Sequence, residues 1–244
     1  MIYFLEMYPL KFLPTGHVYI DPEDDCDRIV NSILDTNYNE EFCIARDFDE
    51  SFIVKLMEAG FLIMSTELSP EEDGPDGEQF YILLPKLHLI RSALFFPELH
   101  IKKSIRKKLS LYELKIDTDF DYILDKCVET HGSDWLTAPL VGILKSLRQQ
   151  KDIRPRPVSF ALYREGELRA GEIGVVMGRV YTSYSGFYAE NNAGTVQMIL
   201  MAKWLEKMGF SFLDLGMPLS YKSDLGARDI SPHLFIELFR SARY

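Results

Sequence analysis

The chain has 244 residues, 47% of them hydrophobic and 26% charged, the balance of an ordinary soluble protein that folds alone as one large domain or as a small domain joined to a larger one. No stretch approaches the roughly 20 apolar residues needed to cross a bilayer, and Cys26, Cys43 and Cys127 are too few and too widely spaced for a disulfide framework or a paired C-x-x-C zinc site, so small buried hydrophobes are expected there. A net charge of −10 taken whole argues against a nucleic-acid partner, but residues 1–84 hold 4 basic and 19 acidic groups, net −15, while residues 85–244 hold 23 and 18, net +5.

In chain order, the apolar start Met1 to Leu13 lacks a basic region and carries Glu6, which reads as a cytosolic protein without a signal peptide. Phe52, Ile53, Leu56 and Met57 recur at helical spacing between Asp49 and the stop signal Gly60. The acidic stretch Thr66 to Gln79, with Pro70, Gly74, Pro75 and Gly77, has no apolar period and reads as a long solvated loop. It sets the expected division into a small acidic α/β domain, 1–84, and a larger domain, 85–244.

Thr118 and Asp121 resemble an N-cap pairing ahead of a helical face formed by Phe120, Ile123, Leu124, Cys127 and Val128. Trp135 to Leu147 is a second helix, interrupted early by Pro139. Val158 to Tyr163 turns at Arg164-Glu165-Gly166-Glu167 into a strand reaching Val176, and Gly178-Arg179 turns it again into Val180 to Ser185. A helix follows from Thr195 to Met208, closed by Gly209, then a strand from Phe210 to Leu215. Three antiparallel strands, a helix and a further strand make the central unit of an α+β, acetyltransferase-like (GNAT-type) domain with a mixed, mostly antiparallel sheet. Such a fold hosts many activities and by itself assigns none.

Four segments resemble the leucyl/phenylalanyl-tRNA protein transferases. Arg91-Ser92-Ala93-Leu94 leading to Leu99-His100-Ile101-Lys102-Lys103-Ser104-Ile105-Arg106-Lys107 is similar to the family's R-x-x-L and L-H-I-x-[RK]-S-[ML]-[RK]. Trp135-Leu136-Thr137 is similar to its W-I-T, and Glu167-Leu168 with Gly171, Gly174, Val175 and Gly178 to its E-L-[VA]-G-G-x-x-G-V-x-x-G. Leu213-Asp214 and Leu225-Gly226-Ala227 match its I-D and L-G-A at the same spacing. The four stand in order over about 150 residues, Arg91 to Arg240.

The resemblance implies transfer of leucine or phenylalanine from aminoacyl-tRNA to the N-terminal amine of a protein beginning with Arg or Lys, which creates an N-degron. It implies no metal and no organic cofactor, because the aminoacyl ester already carries the driving force. The implied partners are aminoacyl-tRNA and the acceptor N-terminus, with no membrane, and the protein is expected to be a monomer. Lys102, Lys103, Arg106, Lys107 and Lys108, if helical, share a broad face for acceptor-stem phosphates, and Lys145, Arg148, Lys151, Arg154 and Arg156 form a second basic cluster. Trp135 matches a tryptophan that packs on the 3′-terminal adenosine, and Asp214 an aspartate suited to orienting an amine. Gly171, Gly174 and Gly178 read as sites of close packing and turning. Asn192 and Ala193 match the family's N-A. An amide there suits either the site or a helix cap.

The chain departs from the family at the reacting centre. The family's G-E-S-M-F-S aligns with Ser183-Tyr184-Ser185-Gly186-Phe187-Tyr188, so Ser185 and Phe187 keep their matches while a glutamate has become Tyr184. The glutamine of its D-x-Q has become Gly216, and a later histidine has become Tyr221. Its F-P-W and S-P-D-P segments read Phe61-Leu62-Ile63 and Leu87-His88-Leu89-Ile90. Tyr184 and Tyr221 can donate hydrogen bonds to an oxyanion or alkoxide, but neither replaces a carboxylate facing a cationic amine. Three readings stand: an active aminoacyltransferase with a leucine, phenylalanine or altered donor such as arginine, with Asp214, Ser185, Tyr184 and Tyr221 at the centre and Phe187, Asn192 and Gly216 in the pocket; a degenerate homologue that binds tRNA or an N-degron; and an acyl-CoA N-acyltransferase, disfavoured because Arg169 to Gly174 has the wrong spacing for a pyrophosphate loop.

Overall fold

The computed structural model describes residues 8–36, 38–68, 80–150 and 154–244. Its elements run β1 (Lys11–Phe12), β2 (Val18–Tyr19), α1 (Cys26–Asp35), α2 (Glu50–Glu58), β3 (Leu62–Leu68), β4 (Phe80–Lys86), β5 (Arg91–Leu94), α3 (Lys103–Arg106), β6 (Glu113–Ile116), α4 (Phe120–His131), α5 (Ala138–Gln149), β7 (Arg156–Arg164), β8 (Glu167–Met177), β9 (Val180–Tyr188), α6 (Ala193–Lys207), β10 (Phe212–Asp214), α7 (Ser220–Asp224), β11 (Arg228–Ile230) and α8 (Pro232–Ala242). Seven strands form one mixed sheet in the order β11-β5-β10-β9-β8-β7-β6. Every neighbouring pair is antiparallel except β10 on β9. β1 with β2 and β3 with β4 form two smaller ladders.

Alternation along the strands divides the sheet into two buried faces. Val158, Phe160, Leu162, Ala170, Tyr181 and Leu213 pack with Val196, Ile199, Met201 and Leu205 of α6. Ala161, Ile173, Val175, Met177 and Phe212 belong to a second cluster with Phe52 and Leu56 of α2, Ile123 and Leu124 of α4, Leu140 and Leu144 of α5, and Phe235 and Phe239 of α8. Val18, Ile29 and Leu83 lie in that same cluster, so one core runs under both the first 84 residues and the rest. Residue 84, where the acidic half was expected to end, falls inside β4. Of the acidic stretch, Thr66 to Leu68 belongs to β3, and residues 69–79 lie outside the described residues.

The meander β7-β8-β9 and the α6-β10 return match the expected elements to within a few residues at each end. Gly171 and Gly174 do pack closely. A Cβ at Gly171 would fall 2.6 Å from the Phe187 ring, and one at Gly174 would strike the Thr182 carbonyl. α2 begins at Asp49, whose carboxylate accepts from Ser51 N and Phe52 N at 2.9 and 3.1 Å.

Three local expectations need correction. α4 starts at Phe120 behind Asp119 at φ +54°, and neither Thr118 nor Asp121 caps it. The Thr118 carbonyl instead accepts from Ser159 Oγ at 2.6 Å. α5 starts at Ala138 and not at Trp135, because Pro139 sits in its first turn, where its missing N–H leaves no bond unmade. The basic segment forms one turn of helix, Lys103–Arg106, followed by a 3-10 turn at Leu109–Leu111, so the broad helical face is absent. The three cysteines are free and buried, and burial pushes each thiol up to about 12.

Candidate active site

The ladder between β9 and β10 ends at Thr182 opposite Asp214, and beyond it the two parallel strands part. A crevice at the carboxyl ends of parallel strands is where open sheets hold ligands. Here it is a cavity of about 840 Å³. Where β9 borders it, the register with β8 shifts. Gly174 pairs with Ser183 and Ile173 with Ser185, leaving Tyr184 as the extra residue of a bulge. Leu62, Met64, Trp135, Phe187 and Met198 give the cavity apolar walls, and Glu172, Ser183, Ser185, His88 and Lys222 give it polar ones.

Asp214 is placed beneath this cavity and not in its lining. It is fully buried and grips Arg91 with both oxygens, Nε to Oδ1 at 2.8 Å and Nη2 to Oδ2 at 2.6 Å. The same guanidinium donates to the Gly60 carbonyl at 3.2 Å and lies 3.8 Å over the Phe235 ring. Burial pushes the Asp214 carboxyl up, but the adjoining Arg91 charge outweighs this and holds it below the usual carboxylate range. The pair ties β5, β10, the α2-β3 turn and α8 into one floor. Asp214 reaches the cavity through Gly216, whose N–H it accepts at 3.1 Å, and through its charge, which acts on the cavity-lining Lys222 and His88.

Tyr184, Ser185 and Tyr221 all line the cavity, as do Phe187, Asn192, Gly216 and Trp135. Tyr184 accepts a long bond from Ile63 N at 3.4 Å, and burial pushes its phenol up, so it keeps its proton. Tyr221 is half exposed at the rim. Gly216 has φ +68°, and a Cβ there would sit 3.3 Å from His88 Nε2. Asn192 precedes α6 at φ +72°, and its side chain makes no capping bond. The Trp135 carbonyl accepts from Ser65 N at 2.9 Å, which pins it to β3.

Of the polar cavity residues without an assignment on sequence, Glu172, Lys222 and His88 are buried ionisable groups with displaced titration. Glu172 is 6% exposed and accepts from Tyr181 Oη at 3.2 Å, and burial pushes its carboxyl up to about 7. Lys222 is equally buried and donates to the Leu215 and Met217 carbonyls at 2.5 and 2.8 Å. Burial pulls its ammonium down to about 8. His88 is 3% exposed with neither ring nitrogen hydrogen-bonded, and Glu41 stands off at 3.7 Å. Burial together with the Arg91 and Lys86 charges pulls it down to about 3, so the ring is neutral. Nothing in their spacing marked these three, since β8, α7 and the loop after β4 meet only in the fold. Among the described residues no group of three metal-ligating side chains occurs.

The first basic cluster lies outside the cavity but is fastened to its rim. His100 N donates to the Leu225 carbonyl at 2.9 Å, and Lys102 pairs with Asp224 at 2.5 Å. Lys103, Arg106 and Lys107 are exposed, Lys108 is half-buried, and buried Ile105 anchors them. In the second cluster, Lys145 pairs with Asp125, and Arg148 and Arg156 pair with Asp117, while Lys151 lies outside the described residues.

A family model described as leucyl/phenylalanyl-tRNA protein transferase matches residues 93–240. The leucyl/phenylalanyl-tRNA protein transferase of Pseudomonas putida (strain W619) is 32% identical over 152 residues, 60% of this chain and 66% of that one. That of Pseudomonas entomophila (strain L48) is 32% identical over 146 residues, 58% and 63% of the two chains, and that of Pseudomonas aeruginosa PAO1 is 28% identical over 158 residues, 63% and 68%. The chain thus spans about two thirds of the length of these relatives. Among solved structures, FemX is similar with a TM-score of 0.45 at 12% identity, over 91% of this chain and 81% of that one, a likeness too slight to carry an argument.

Proposed function

The chain belongs to the leucyl/phenylalanyl-tRNA protein transferase family, and on that premise we propose that it moves an amino acid from aminoacyl-tRNA to the N-terminal amine of an acceptor protein, producing an N-degron. The observation that carries this reading is the convergence of the family-matched positions on one cleft: Trp135, Ser185, Phe187 and Asn192 line it, and the Arg91–Asp214 pair forms its floor.

In this reading Trp135 stacks on the terminal adenosine, and the apolar wall at Leu62, Met64 and Phe187 takes the donor side chain. Tyr184, still protonated, and Ser185 donate to the oxyanion as the ester carbonyl is attacked. Tyr221 at the rim donates to the departing ribose oxygen. Lys103, Arg106, Lys107 and Lys108 meet the acceptor-stem phosphates. The wall suits leucine or phenylalanine, and the changed residues Tyr184, Gly216 and Tyr221 are the ground for the alternative of an altered donor such as arginine. The sheet order, with β10 parallel to β9 after α6, supports an acetyltransferase-like arrangement of the seven-stranded sheet β5 to β11.

The test is a mass-spectrometric assay with total charged tRNA and a panel of peptides differing in their first residue. A mass increase on the peptide N-terminus is expected, and no transfer from any donor would sink the reading. The second reading, a homologue that binds without chemistry, is favoured by Tyr184 and Gly216 standing where the family has a glutamate and a glutamine. It predicts tight tRNA binding with no turnover.

A further inference from the structure

Resting on the transferase reading, we propose that Glu172 receives the acceptor's α-ammonium in the cleft and takes its proton, serving in place of the carboxylate absent at Tyr184. Among the described residues Glu172 is the one carboxylate lining the cavity. It projects from β8 opposite Gly186, one strand across from the bulge that carries Tyr184. Gly186 has no side chain to cover it.

The partners of Glu172 explain why a cation belongs there. Its hydrogen bonds come from neutral hydroxyls, Tyr181 at 3.2 Å and Ser183. Lys222, the nearest cation with a resolved influence, spends its ammonium on the Leu215 and Met217 carbonyls. A carboxylate in a desolvated wall whose hydrogen bonds are all from neutral donors, with its nearest cation bonded elsewhere, is a costly anion until a positive ligand arrives. Tyr181 on β9, Cys127 on α4, and Tyr221 and Lys222 on α7 are the titratable groups that sense or influence it. Burial sets Glu172 to ionise at about 7, within reach of an α-amine's own range near about 8.

The step balances without any further reagent. The α-ammonium gives one proton to Glu172. The amine nitrogen then attacks the ester carbonyl, the N–C bond forms, and the C–O bond to the ribose breaks. A second amine proton passes to the departing ribose oxygen, and Glu172 releases its proton to water as the amide product leaves.

The experiment compares the wild-type chain with Glu172→Gln and Glu172→Asp, using an acceptor peptide with a free or an acetylated N-terminus. Transfer is followed from pH 6 to 9 and peptide binding by calorimetry, with circular dichroism to verify folding. Glu172→Gln should lower kcat/KM on the order of 100-fold or more, leave aminoacyl-tRNA affinity unchanged and move the rising limb of the pH profile from near 7 up to the amine's own ionisation. Glu172→Asp should recover part of the rate. A Glu172→Gln enzyme with wild-type rate and pH limb overturns the proposal while the transferase reading stands. If the wild type transfers nothing, that reading fails and binding decides: a free-amine preference abolished in Glu172→Gln supports the amine site, and equal binding of both peptides overturns it.

Discussion

Asp214 and Glu172 show how differently two buried carboxylates behave when one is bonded directly to a cation and the other only to neutral hydroxyls. Asp214→Asn would leave Arg91 buried with half its partner, so a loss of about 3–5 kcal/mol is expected, read from urea denaturation at pH 7. Because the folded Asp214 is held below its unfolded ionisation near about 3.9, its stabilisation is full above that pH and fades as the pH falls through the folded value. Acid melts of the variant should lack that limb. Glu172 has the opposite sign. Its ionisation is raised to about 7, so the native state is penalised above that pH and relieved as the pH drops toward the unfolded value near about 4.3. Glu172→Gln should therefore stabilise the protein at pH 8 by up to roughly 3 kcal/mol, with the gain vanishing at pH 4. Thermal melts at the two pH values check this. A variant that gains stability and loses activity is the pattern expected of a functional group.

At the scale of elements, the segment from Lys102 to Lys108 is a short anchored ribbon whose cations Lys103, Arg106, Lys107 and Lys108 have no ion pair among the described residues. Changing these four to alanine while keeping Ile105 should reduce the slope of log affinity against log salt by about 3, since each phosphate contact contributes about 0.7–0.9. Filter binding at graded salt measures it, and an unchanged slope would place the tRNA elsewhere. The same scale shows what was legible in the sequence. β7, β8, β9 and α6 announce themselves through alternation, helical period and the glycines between them, and the short β10 through the apolar run after Gly209. β5, β6 and β11 have four residues or fewer, too short to show a period. Trp135, Ser185 and Phe187 were recognisable because local motifs hold them. Glu172 was not, because a glutamate in a strand ordinarily reads as its solvent face, and only the pairing with Gly186 turns it into a cleft wall. His88 was missed for a similar reason, since its surroundings come from Glu41, Lys86 of β4, Arg91 of β5 and Gly216 after β10.

At the scale of the whole molecule, the shared core predicts that the two halves unfold together. Phe52, Leu56 and Leu83 lie in one cluster with Ile173, Phe212 and Phe235, and Arg91 binds the Gly60 carbonyl across the same junction. Urea unfolding followed by the fluorescence of Trp135 and Trp204 and by far-ultraviolet dichroism should therefore give coincident transitions. Two separated midpoints would refute this. The fastening of the basic ribbon to α7 has its own consequence at this scale. The contacts of His100 and Lys102 end on Asp224 and Leu225, within a turn of Tyr221 and Lys222. A polyanion held by the ribbon is therefore expected to bear on the short helix that carries those two side chains. In the proposed function the grip on tRNA lies on one side of this helix and the chemistry on the other, so a charged tRNA shortened to its 3′ end is expected to engage only the cleft.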